Sequence, residues 1–384
     1  MSRPVFDLCG PLPVGTVVLE ASAGTGKTHA IAALAARYLA EGVARIDELM
    51  LVTFGRAATV ELRERVRERL TSASVALSDP VVARSSPDDV VRHLATGPDA
   101  DVALRRERLA RAVAGFDAAT IATTHGFCHQ MLAGLGIAAD IDADVTFTES
   151  TGDIVTEAVT DFYVRAYAQA TDPPTRIPFA TAAKVAANAV GDRSARLEPV
   201  AAEPGSEADV RRRLAESVRA EVGFRKESRR VMDYDDLLDH LRRALTDPHT
   251  GETARARVRS RYKIVLVDEF QDTDPVQWQI LESAFHGHRT LVLIGDPKQA
   301  IYAFRGADVD TYLLATQAAD SESTLGTNWR SDASLVRALS HLVGGAALGD
   351  ARIVVHDVDA AHQHASITGA HSDAPLRIRQ LRRR

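Results

Sequence analysis

The stretch Ala21-Ser22-Ala23-Gly24-Thr25-Gly26-Lys27-Thr28 decides how this chain is read. An apolar run, Val17, Val18 and Leu19, precedes it. A helical pattern, Ile31, Leu34, Ala35, Tyr38 and Leu39, follows it. Strand, glycine-rich loop and helix in that order suit a phosphate. The glycines let backbone N–H groups curl around the anion, and the helix N-terminus adds its dipole. Lys27 is expected to reach the β- and γ-phosphates, and the Thr28 hydroxyl to ligate Mg²⁺. Ala21 stands where the strict pattern has glycine. The plainer alternative is a glycine-rich turn with no ligand.

A second signal lies far downstream. Lys263-Ile264-Val265-Leu266-Val267 has the continuous apolar character of a buried parallel strand, and it ends in Asp268-Glu269-Phe270-Gln271-Asp272-Thr273. Ligands of open α/β sheets sit at the carboxyl ends of strands. Asp268 is therefore a candidate to hold Mg²⁺, directly or through water, and Glu269 a candidate to orient and deprotonate an attacking water.

Composition sets bounds on these readings. The chain has 384 residues, 45% hydrophobic and 26% charged, enough for two or three globular domains. Its formal net charge of −6 gives no bulk sign of nucleic-acid binding, so any basic surface must be local. The two cysteines, Cys9 and Cys128, make neither a disulfide framework nor a zinc site and suit a reducing compartment. No apolar run reaches membrane-spanning length, so no membrane partner is expected and a cytoplasmic location is.

Further strand–helix units follow the same pattern. Leu49–Phe54 and Thr120–Thr124 read as strands, each followed by a helix (Ala57–Leu70 and His125–Leu135), and Thr290–Ile294 reads as another strand ending at Gly295-Asp296. Five strands alternating with helices predict a doubly wound α/β domain with a parallel sheet. Lys27 and Asp268 should meet across one nucleotide, yet 241 positions separate them. Segments are therefore inserted. Residues 71–117 read as a charged helical excursion with flexible ends. Residues 136–230 read as an all-helical subdomain, with helices around Ile154–Tyr167 and Val210–Val222. Asp233 is a plausible N-cap of a helix that has Asp235 and Asp236 in its first turn.

Three more stretches lie at strand ends. Thr53-Phe54-Gly55-Arg56 and Thr123-Thr124-His125-Gly126-Phe127-Cys128 are two of them. The third is Gly295-Asp296-Pro297-Lys298-Gln299-Ala300-Ile301-Tyr302-Ala303-Phe304-Arg305. Gln299 is placed to sense a γ-phosphate. Tyr302, Phe304 and Arg305 offer flat faces and a cation of the kind that hold single-stranded nucleic acid, or else they pack in a core.

In order and wording these stretches, together with Gly326-Thr327-Asn328-Trp329-Arg330-Ser331, resemble superfamily 1 DNA helicases of the UvrD/Rep type. ASAGTGKT, THGFC, DEFQDTDPVQW and IGDPKQAIYAFRGAD are most similar to the RecB family of exodeoxyribonuclease V β subunits, with the AddA helicase–nucleases the nearest rival. The resemblance implies a RecA-like P-loop NTPase sheet. Its first motor domain would span 1–135 and 231–324, with 71–117 as a charged insertion. The helical subdomain would take 136–230, and 325–384 would begin a second RecA-like domain.

The resemblance implies ATP and Mg²⁺ as cofactors and single-stranded or duplex-end DNA as substrate, in double-strand-break repair. RecC- and RecD-like subunits would be partners. Ala21 to Thr28 would bind ATP, Asp268 and Thr28 would hold the metal, and Glu269 would be the base. Gln299 would couple the γ-phosphate to DNA, Arg330 would reach that phosphate, and Trp329 would stack near the adenine. Thr53, Phe54, His125, Tyr302, Phe304 and Arg305 would line the DNA path. Family members often read adenine with a glutamine upstream of the loop, and here no Gln precedes Gln130. A later DNA-gripping motif and a second arginine of the family pattern are also not found after Arg330. The expectation is an N-terminal motor portion incomplete for unwinding. A non-catalytic ATP- or DNA-binding fragment is the alternative.

Overall fold

The apolar runs become neighbouring strands. The computed structural model describes residues 3–135, 145–148, 150–168, 176–193, 195–301, 308–364 and 376. Its strands are β1 (Thr16–Glu20), β2 (Leu49–Thr53), β3 (Thr120–Thr123), β4 (Thr146–Phe147), β5 (Val231–Met232), β6 (Ile264–Val267), β7 (Thr290–Gly295), β8 (Ser321–Thr324), β9 (Thr327–Asp332) and β10 (Asp359–His362). Six of them form one sheet in the order β3-β2-β6-β7-β1-β8, with every pair parallel. This is the RecA-like α/β architecture. Two compact units are present, residues 1–135 with 242–384, and residues 136–241.

Register brings the strand ends level. Glu20 lies opposite Gly295, Val52 opposite Val267, and Thr53 opposite Thr123. The loops that follow five different strands therefore open on one margin of the sheet, where ligands of such sheets bind. The sixth strand, β8, is the polar tetrad Ser321-Glu322-Ser323-Thr324, which no apolar run announces. It survives as an edge, paired to β1 on one side. Residues 4–6 cover its other side, with Thr324 N donating to Pro4 O (2.9 Å) and Phe6 N to Thr324 O (2.8 Å).

The Lys27–Ala40 helix is buried from Ala30 to Ala40 without a break, as a helix apolar all round must be. The one charge in that stretch, Arg37, is matched. It donates to the Leu8 and Gly10 carbonyls at 2.7 and 2.8 Å and pairs with Glu41 at 2.7 Å.

Residues 71–117, expected as an excursion, are folded into this core. The Arg56–Ala76 helix runs past Leu70, and the Pro80–Ala83, Asp89–Leu94 and Asp99–Ala114 helices follow. Leu77, Val90, Leu94, Val102 and Leu109 are buried in one cluster with the first helix. The charges that suggested an excursion occupy the outer face. Val90 with Leu94, and Val102 with Leu109, recur at helical spacing on the inward faces, and each contributes about 1.5–3 kcal/mol.

In residues 136–241, the Gly152–Tyr167, Phe179–Gly191 and Glu207–Arg229 helices share a core built on Ala158, Val159, Ala186, Val218 and Val222. A short parallel ladder of β4 and β5 accompanies them, so the unit holds strands as well as helices. Asp233 caps the Tyr234–Thr246 helix. Its Oδ1 accepts from Asp236 N at 3.1 Å, and Asp236 Oδ2 accepts from Asp233 N at 3.0 Å, a reciprocal capping box. The buried Lys226 pairs with both carboxylates, and Arg193 meets them at 3.1 and 2.5 Å.

Candidate nucleotide site

The glycine-rich loop leaves β1 at Ala21, whose N–H donates to Gly295 O at 2.9 Å. Gly24 and Gly26 have φ of +81° and +84°, a backbone open to glycine and strained for other residues. A side chain at Gly24 would also meet Arg330 Cβ at 2.9 Å. Thr25 closes the turn on Ser22 O through its N–H (3.1 Å) and hydroxyl (2.7 Å). Lys27 and the half-buried Thr28 open the helix with no acidic residue in the first turn, which leaves its positive end unopposed.

Lys27 Nζ donates to Glu269 Oε2 at 2.5 Å, so the loop and the end of β6 meet. Glu269 has φ of +51°, one of two non-glycine residues with positive φ among those described. That backbone is costly by about 1–3 kcal/mol and is a marker of a constrained site. Gln271 holds the same oxygen from the other side at 2.8 Å, and Gln271 Oε1 accepts Asp296 N at 2.9 Å. Burial pushes the Asp268 carboxyl up to about 6; Glu269 adds to this and Lys27 opposes it. A half-buried carboxylate whose charge is disfavoured in this way suits a cation. Asp268 and Thr28 are hard oxygen donors of the kind Mg²⁺ takes alongside substrate phosphates.

At the end of β7, Gln299 Nε2 donates to Asp296 Oδ2 at 2.8 Å. Lys298 occupies Asp296 Oδ1 at 2.7 Å and also pairs with Glu20, the last residue of β1. A Cβ at Gly295 would sit 2.6 Å from Gln271 Oε1 and 3.1 Å from the Gln271 and Phe270 backbone nitrogens, a close approach that favours glycine.

The 328–331 segment docks on the loop. Asn328 Nδ2 donates to Ala23 O (3.1 Å) and Trp329 N to Gly24 O (2.8 Å), while Asn328 Oδ1 accepts from both Arg330 N and Ser331 N at 2.9 Å. The exposed Trp329 flanks a cavity of 610 Å³ together with Phe6, Cys9, Gly26, His29 and Pro87. That is room for a nucleoside. Trp329 is thus beside the loop, and the exposed Arg330 follows it.

On the other side of the margin, β2 and β3 deliver Thr53, Phe54 and His125 from adjacent strand ends. Thr53 is buried, and its Oγ1 has no partner among the described residues. Phe54 and His125 are half-buried, and burial lowers the His125 pKa. Tyr302, Phe304 and Arg305, and the arginine-rich end at 377–384, lie outside the described residues. Sequence reasoning missed Glu20, Gln271, Asp296, Lys298 and Asn328. Each sits within or next to a motif already noted, and that adjacency was the available signal.

No helix of the described residues is long and apolar enough to cross a membrane. Sheet order, loop and acidic strand ends define the class as RecA-like P-loop. Residues 10–320 match the UvrD/REP helicase N-terminal domain, and the chain belongs to that family. It is 52% identical over 382 residues to the RecBCD enzyme subunit RecB of Mycolicibacterium smegmatis, covering 99% of this chain and 34% of that protein. The Mycobacterium tuberculosis protein of the same name is 50% identical over 381 residues, 98% of this chain and 34% of its own length. The Escherichia coli protein is 28% identical over 451 residues, covering 85% and 38%. The chain thus spans about a third of the length of these relatives, and its likeness is to RecB N-terminal portions.

Proposed function

We propose that this chain is the ATP-binding motor portion of a RecB-like helicase, which couples ATP hydrolysis to 3′-to-5′ movement along single-stranded DNA in break repair. The observation that carries the reading is the contact of Lys27 with Glu269 across the strand ends. The phosphate-binding lysine holds the candidate base until a phosphate replaces it. Backbone N–H groups of residues 23–28 would bind the phosphates, with Lys27 moving from Glu269 onto them. Glu269 stays oriented by Gln271 and is then free to take the proton of the attacking water, as the γ-phosphorus bond to the bridging oxygen breaks and ADP leaves. Asp268 and Thr28 would hold Mg²⁺, which supplies neutralising charge on the phosphates. Gln299 and Arg330 would contact the γ-phosphate, and Trp329 the base.

Thr53, Phe54, His125, Tyr302, Phe304 and Arg305 would meet DNA in a cytoplasmic complex with RecC- and RecD-like subunits. Titration with a fluorescent ATP analogue tests the nucleotide reading. Lys27→Ala is expected to weaken binding about tenfold to hundredfold, the worth of a charge-assisted contact. Equal binding by the variant would make the loop a turn.

A further inference from the structure

Glu20 ends β1 directly before the phosphate loop and is 1% exposed, and among the described residues its carboxylate pairs with Lys298 and Arg3, neither of them assigned to the nucleotide. A charge buried there needs partners. It has Lys298 on Oε1 and Arg3 on Oε2. Lys298 in turn bonds Asp296 Oδ1 at 2.7 Å, while Gln299 Nε2 occupies Asp296 Oδ2 at 2.8 Å. Asp296 is 2% exposed, so its charge must be matched whatever Gln299 does.

Resting on the nucleotide reading above, Gln299 has to turn its amide from Asp296 to the γ-phosphate. We propose that Lys298, pinned by Glu20, is the positioning residue that neutralises Asp296 and so releases Gln299 to the γ-phosphate of bound ATP. With Lys298 in place, Asp296 keeps a full cation when Gln299 departs. Without it, the buried carboxylate retains the backbone N–H of residue 298 at 3.1 Å and holds on to the Gln299 amide. The γ-phosphate then goes without that donor. ADP has no γ-phosphate, so its affinity is blind to this exchange.

The experiment compares Mg²⁺·ADP and Mg²⁺·ATPγS affinities by competition with a fluorescent nucleotide. Lys298→Met is expected to leave ADP binding within about twofold and to weaken ATPγS about tenfold, the range of one hydrogen bond to a charged group. Lys298→Arg, and Lys298→Met combined with Asp296→Asn, are expected to restore the ATPγS preference. A merely structural role would shift both nucleotides together. If Lys298→Met does not fold, adding Glu20→Gln removes the excess buried charge and the same selective loss is expected. An unchanged ATPγS-to-ADP ratio in these variants, with wild type binding both nucleotides, overturns the proposal alone. Wild type binding neither nucleotide overturns the nucleotide reading and the proposal with it.

Discussion

Replacing Asp272 by Asn should make the nucleotide-free protein more stable, and only above a defined pH. Asp272 is 6% exposed, and its Oδ1 has no hydrogen-bond partner among the described residues. Burial, with Glu269 nearby, pushes its carboxyl up from 3.8 to about 6. The folded protein therefore holds this proton more tightly than the unfolded chain does. Stability is full below about pH 3.8, falls as the pH rises towards 6, and stays reduced above that. The whole difference corresponds to about 3 kcal/mol, and solvent screening of a group near the site lowers this to about 1–3 kcal/mol. Asp272→Asn keeps the shape and removes the charge. Trp278 is a local reporter: it is 6% exposed and edge-on to Phe270, with ring centres 5.6 Å apart. Urea unfolding followed by its fluorescence should show the variant more stable by about 1–3 kcal/mol near pH 7.5, with a gain below about 0.5 kcal/mol near pH 4. A destabilised variant at neutral pH, or a gain that ignores pH, would refute the reasoning.

Other outcomes follow from the same geometry. Gly295→Ala places a methyl 2.6 Å from Gln271 Oε1 and should lower stability by about 1–3 kcal/mol, read as a shifted urea midpoint; an unshifted midpoint counts against the packing described. Asp233→Ala removes one half of the capping box and one partner of Lys226, so a loss of about 1–2 kcal/mol is expected in thermal melts followed by circular dichroism. Fluorescence anisotropy with single-stranded oligonucleotides should show salt-dependent binding. The Phe54→Ala, His125→Ala pair should weaken that binding by about 1–3 kcal/mol per lost stack, and a pair that binds as wild type does would place the DNA path elsewhere.

Much of the sheet was legible because β1, β2, β6 and β7 are buried and carry apolar runs, while the edge strand β3 shows itself by its β-branched Thr120-Ile121. β8 was not legible, since an edge strand needs only one partner and can be Ser-Glu-Ser-Thr. Residues 71–117 misled by their charge: one face of each helix meets water, and composition does not say which. The Phe179–Gly191 helix was not read from the sequence, although Ala182, Ala186, Ala189 and Val190 recur at helical spacing on its buried face. In the site, Lys27, Asp268, Glu269 and Gln299 were found as motif positions. The pairing of Glu20 with Lys298 spans 278 positions and is set by the β1–β7 register, which no local pattern encodes.

That register also sets a timetable. β1 lies between β7 and β8, so its first sheet partner begins at Thr290, 270 residues after Glu20. At about 5–20 residues per second of synthesis, the wait is about 15–55 s. β2 and β3, adjacent in the sheet and close in sequence, can pair long before that. Throughout the delay the buried β1, which leads into the candidate phosphate loop, is a free edge on the ribosome. A nascent chain halted anywhere between the first helix and Thr290 should therefore be a strong ligand for chaperones that bind extended apolar segments.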